Sequence, residues 1–201
     1  MANDPSEKQR EVKVGLVCAL AFWQLADPFL HRIAEAIPEG SVTPFEIGEL
    51  VACATNLAFA LELYMKTLLA QAQLPVPKHH DLGKLYESLP DDVQSEVEAA
   101  YDRARPYWHG RRRSISVASG PLEAPEWHDD PTESQALAHV LQRSGDVFSS
   151  WRYVYEFTAP TAGAYHFRRF EYGMLQCVCI AMNESITHRM ELAAGSKSTP
   201  G

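Results

Sequence analysis

Positive charge is in short supply: 201 residues carry 18 Lys and Arg against 26 Asp and Glu, a formal charge of −8. A chain with that balance does not coat nucleic acid indiscriminately, so any polyanion site must be local. Cysteine is scarce as well. Cys18, Cys53, Cys177 and Cys179 lie in apolar, helix-like segments without CxxC spacing, a pattern that indicates neither a zinc site nor a disulfide framework and favours buried, reduced thiols. A Gly-rich phosphate loop, a nucleophile elbow and a kinase motif set are missing. So are the inward-facing Glu-x-x-His pairs of a di-metal bundle. His31/Glu35 and Glu184/His188 stand four apart and read as ordinary surface pairs rather than a metal site, so no metal and no cofactor is expected. The opening MANDPSEKQREVK mixes acids with bases, and the apolar run after it reads as too short and too interrupted for a signal peptide or a membrane span. A cytoplasmic protein without a membrane partner is the expectation.

What is present is helix. With 46% hydrophobic residues the chain can bury one ordinary core, and helical patterning runs nearly throughout with no convincing strand and no fixed-period repeat. A first helix is predicted from near Ser6 to Ile37, stopped by Pro38 and Gly40. Thr43-Pro44-Phe45-Glu46 opens a second: Thr43 caps, Pro44 takes the first helical position and Glu46 closes a capping box. It is expected to reach Gln73. Asp81 is placed to cap a short helix ending near Leu89, and Pro90-Asp91-Asp92 begins a fourth that fails around Pro106 to Gly110. Arg111 to Pro131 has three prolines, a glycine and no steady period, the composition of a lid or an unstructured segment. Thr132-Glu133-Ser134-Gln135 is a second capping box, predicted to start a helix through FSSWRYVYEF. The last helix is expected from Tyr165 to about Leu192. The expected architecture is all-α: a single domain over residues 1–195, a bundle of about six helices with a long irregular loop near 110–131, and a frayed tail at 196–201.

The second helix is the most informative. At roughly 100° per residue, Thr55, Glu62, Lys66 and Gln73 share a narrow sector, while Leu57, Phe59, Leu61, Leu63, Met65, Leu68 and Leu69 cover almost everything else. A nearly all-apolar helix with one polar line sits at the centre of a bundle. Glu62 and Lys66 are then either a local ion pair, in the favoured orientation, or the polar floor of a site.

The run ALELYMKTLL, the loop after it, HDLGKLYESLP and, later, FSSWRYVYEF resemble bacterial members of the HEPN superfamily (higher eukaryotes and prokaryotes nucleotide-binding). The resemblance is dense over Asn56–Pro90 and thinner at Phe148–Phe157. It implies a helical bundle, often a homodimer, that binds RNA or a nucleotide. Many members are metal-independent ribonucleases whose motif is an Arg and, after four to six residues, a His, with a further polar residue on a neighbouring helix. Arg103 to His109, with five residues between, matches that spacing. The resemblance therefore implies that His109 moves a proton at the 2′-hydroxyl or leaving oxygen and that Arg103 stabilises phosphate charge. It also implies a bacterial stress, toxin–antitoxin or phage-defence setting, with an antitoxin or a nucleotidyltransferase as partner.

Two features compete with that assignment. Pro106 interrupts the helix between Arg103 and His109. The resemblance at WRYVYE implies Arg152 as the alternative position for the motif's Arg, although no His follows it at the motif's spacing, and Glu156 four residues on is a ready pairing partner. Glu62, Lys66, Arg152 and Glu156 are accordingly a candidate supporting polar cluster.

Five of the twelve arginines (Arg103, Arg105, Arg111, Arg112, Arg113) fall within eleven residues, with Tyr107 and Trp108 among them. Guanidinium groups fork onto phosphates and aromatic rings stack on exposed bases, so Arg105, Trp108, Arg111, Arg112 and Arg113 are candidate RNA-binding residues. The alternative is an arginine cluster paired with acids such as Asp91, Asp92, Glu96 or Glu98. His166, Arg168 and Arg169 form a weaker basic group. His80 and Asp81 are explained by packing and capping. The rival to RNA cleavage is a non-catalytic helical binding and dimerisation module.

Overall fold

A computed structural model describes residues 5–36, 44–108, 114, 118–119, 134–152, 165–166 and 170–195. The fold is all-α. Its helices are α1 (Pro5–Ala36), α2 (Pro44–Gln71), α3 (Leu82–Glu87), α4 (Asp91–Ala104), α5 (Leu137–Arg143), α6 (Val147–Arg152) and α7 (Tyr172–Gly195), with a 3-10 turn over Arg105–Trp108 after α4.

Helix α2 is the hub, packed on α1, α3, α6 and α7. Its residues Leu57, Leu61, Tyr64, Met65, Leu68 and Leu69 are buried on all sides, which is why so few of its positions are polar. Each such aliphatic side chain contributes about 1.5–3 kcal/mol relative to an exposed one. Helix α1 lies along α2 through the small buried residues Val12, Ala19 and Ala26. Gly15 permits the close approach: a Cβ there would intrude on Thr67 Oγ1, whose proton goes to Leu63 O at 2.7 Å.

The end of α2 is a Schellman motif, with Leu74 N–H donating to Leu69 O at 2.9 Å and Gln73 N–H to Ala70 O at 3.1 Å. Gln73 takes the left-handed position, φ 61°, that glycine usually fills. The helix thus stops two residues before the expected Gln73. The expected ends of α1, α3 and α4 are met within about two residues, whereas Thr43 and the loop positions 109–113, 115–117 and 120–133 lie outside the described residues.

Three expectations change. The helix predicted from the Thr132 capping box starts at Leu137 and breaks at Ser144–Asp146 into α5 and α6. Thr132, the expected cap, lies outside the described residues, and Ser134 Oγ engages His139 Nδ1 at 2.6 Å and accepts from Ala136 N–H at 3.4 Å just ahead of the helix. The last helix begins at Tyr172 rather than Tyr165, because Tyr165 and His166 form a two-residue strand antiparallel to Ala118–Ser119. Finally, Glu7–Phe29 is long and apolar enough to cross a membrane by length and composition, with hydropathy 1.3, against the expectation of a run too short and too interrupted to span one. Within the fold that helix packs along α2 and places Phe22 edge-on against Phe59, ring centroids 4.6 Å apart.

Candidate functional site

The polar line of α2 resolves into one tight group. Glu62 is buried, its side chain 3% exposed, yet both carboxylate oxygens are engaged: Lys66 Nζ donates to Oε1 at 2.6 Å, and His80 Nδ1 lies 2.8 Å from Oε2. A carboxylate only accepts, so Nδ1 is the donor in this contact and Nε2 is the ring nitrogen not engaged by Glu62. The His80 side chain is 54% exposed, and Lys66 is 20% exposed.

The chain holds His80 from three directions. Behind it, the Schellman turn at Gln73 reverses the chain. Ahead of it, Asp81 caps α3, its Oδ1 accepting from Lys84 N–H at 3.0 Å. That backbone donor, with Lys84 Nζ at 3.5 Å, holds the Asp81 carboxyl below the ordinary carboxylate range despite some burial. Leu82 N–H then donates to Gly145 O at 3.2 Å in the turn between α5 and α6. A side chain on Gly145 would press on Asp81 Oδ1, so the break in the expected long helix is what lets the His80 loop dock. Beyond it, Phe148 on α6 stacks on the His80 ring, centroids 4.9 Å apart and planes 24° from parallel, and Phe59 of α2 lies 5.7 Å behind Phe148. An imidazole fixed by a buried carboxylate on one nitrogen and an aromatic face on its plane, with more than half of its side chain exposed, is arranged to move protons.

The other expected site residues sit elsewhere. Arg103, near the end of α4, is 62% exposed and pairs with Glu184 of α7. Arg105 pairs with Asp102 at 3.5 Å. Trp108 is a correction: its ring is buried edge-on against Tyr172, centroids 5.5 Å apart, and offers no face to a base. It is a core residue because the 3-10 turn swings it under α7. Three of the four acids considered as partners for the arginine cluster are used otherwise: Asp92 and Glu96 hold Arg189 at 2.8 and 2.7 Å, and Glu98 accepts from Tyr86 Oη at 2.8 Å. His109, Arg111, Arg112, Arg113, Glu156, Arg168 and Arg169 lie outside the described residues. Arg152 ends α6, one helical turn after Phe148. Thr55, on the same expected line as Glu62, has a buried hydroxyl with no hydrogen-bond partner among the described residues, so the line does not act as one unit.

The structure therefore brings Glu62 and Lys66 together with His80, a residue the sequence explains by packing alone, and gives Arg103 a different set of partners. The HDL triplet was visible, but not what its His faces. Among the described residues, no group of three or more His, Cys, Asp or Glu is placed to hold a metal ion.

A bundle built round an apolar central helix with an ion pair, followed by a His-Asp-Leu loop docked onto it, defines a class of α-helical domain. The sequence profile of the HEPN domain matches residues 29–129, half of the 201-residue chain. The chain belongs to the HEPN family. No curated protein and no solved structure matches it.

Proposed function

We propose that this HEPN protein binds RNA and cleaves it without a metal ion. The observation that supports RNA binding is the state of Arg103: a mostly exposed guanidinium whose ion-pair partner, Glu184, is itself half exposed. A phosphate can replace such a partner at little cost, because neither group must leave a buried environment. In this reading Arg103 contacts phosphate, Arg105, Arg111, Arg112 and Arg113 extend the basic surface, His109 transfers a proton, and a homodimer is the working unit. A cytoplasmic toxin–antitoxin, stress or phage-defence role, with an antitoxin partner, goes with it. The test is incubation of the purified protein with RNA in chelator. Cleavage that His109→Ala removes supports the assignment, and equal cleavage by His109→Ala ends the role of His109.

A second reading is a non-catalytic helical module, or a nucleotide-binding partner of a nucleotidyltransferase. It is favoured by charge pairing: Arg103, Arg105 and Arg189 all face acids of the same chain. It predicts no loss of RNA and no growth defect on expression.

A further inference from the structure

We infer that His80, oriented by Glu62, is a catalytic proton-transfer residue for RNA cleavage, with Lys66 as the adjoining cation. The inference rests on the RNA reading above only in its coarser part, RNA binding and cleavage without a metal ion, and puts His80 in the place given there to His109 as the proton-transfer residue.

Three observations carry it. The dyad joins residues 18 positions apart, so it is made by the fold and not by helical spacing. The Glu62 carboxylate is already matched in charge by Lys66, so its neutralisation does not require His80. The ring is nevertheless fixed in both position and plane, by Glu62 on Nδ1 and by Phe148 on its face, while more than half the side chain meets solvent. An exposed histidine that merely filled space would not need two orienting contacts, whereas a base must present one nitrogen at a set angle.

The step balances on the residues present. Nε2 of His80 takes the proton of a ribose 2′-hydroxyl; the 2′-oxygen forms a bond to the adjacent phosphorus as the bond from phosphorus to the 5′-oxygen breaks. The imidazolium then returns the proton to the departing 5′-oxygen. The products are a 2′,3′-cyclic phosphate and a 5′-hydroxyl end, with no oxidant, reductant or water consumed. Lys66, part-exposed on the other oxygen of the same carboxylate, supplies positive charge beside the phosphorane. Glu62 does not touch substrate. It is a positioning residue, which selects the tautomer and stabilises the imidazolium as it forms.

The experiment uses the full chain and a fluorescently labelled single-stranded RNA of mixed sequence in chelator, reading binding by anisotropy and cleavage by gel across pH 5–9. His80→Gln keeps a polar group of similar length but cannot shuttle a proton; it is expected to lower the cleavage rate by about 10²–10⁴-fold with binding changed less than about twofold. Exposed His79→Ala serves as the control and stays at the wild-type rate. Glu62→Gln is expected to lower turnover, leave KM unchanged and displace the pH profile, with Glu62→Asp restoring part of the rate. Thermal melts identify variants that fail to fold, and for these His80→Asn replaces His80→Gln. Wild-type cleavage by folded His80→Gln, with or without loss in His109→Ala, overturns the inference and leaves the RNA reading standing. RNA bound but uncut by the wild type overturns it as well, and RNA neither bound nor cut removes both.

Discussion

Nδ1 of His80 lies 2.8 Å from Oε2 of Glu62, the ring half in solvent and the carboxylate almost wholly out of it. The asymmetry of exposure has an energetic consequence. Among the described residues Lys66 is the other partner of that carboxylate, and it too reaches water. Replacing Lys66 by Met leaves a buried carboxylate facing one imidazole and is expected to cost about 3 kcal/mol. Glu62→Gln strands only groups that can turn to solvent and is expected to cost about 1 kcal/mol. Urea unfolding of the two variants measures the order; a larger loss from Glu62→Gln than from Lys66→Met means the carboxylate is not buried in solution.

Asp81 caps α3 and fixes the residue after His80. Asp81→Ala is expected to cost about 1 kcal/mol. Because the folded carboxyl titrates below its ordinary value, its contribution is present above the unfolded pKa of about 3.9 and is lost as pH falls through the lower folded value. The stability gap between wild type and Asp81→Ala should therefore hold at pH 6 and close in that acid window. Asp81→Asn, which keeps a cap but cannot titrate, should lose this part of the pH dependence. A gap that stays constant down to pH 2 contradicts the account.

Gln73 holds φ 61° in the turn that ends α2. Glycine adopts this conformation without a Cβ penalty, so Gln73→Gly is expected to stabilise the fold by about 0.5 kcal/mol after the entropy it adds to the unfolded chain. Gln73→Val, β-branched and ill-suited to the left-handed region, should destabilise by more than about 1 kcal/mol. Calorimetry decides; equal melting temperatures for Gly and Val rule out the left-handed turn.

Thiol reactivity separates the cysteines. Cys18 is exposed on α1, whereas Cys53, Cys177 and Cys179 are buried. Burial pushes the Cys177 thiol up to about 12 and raises those of Cys53 and Cys179 as well. An aromatic disulfide reagent at pH 8 should titrate one thiol quickly in the native protein and all four in denaturant. Two fast native thiols would show that one of the buried positions opens.

The spans of α1 to α4, the Asp81 cap and the Glu62–Lys66 pair were legible in the sequence, because each depends on residues within about four positions: hydrophobic period, cap chemistry and i,i+4 pairing act along one element. The HEPN resemblance rested on the same local pattern. The break between α5 and α6 was not legible, since Gly145 was needed for a contact with a distant loop. Nor was the fate of Trp108, which composition placed with the arginines and packing placed beside Tyr172. By itself the sequence determined a helical HEPN bundle with a charged pair on its central helix. Only the tertiary structure decided what faces that pair, because bringing His80 and Phe148 to Glu62 requires a capped loop and a separate helix to pack against α2, and such contacts follow from how elements close on one another rather than from any spacing along the chain.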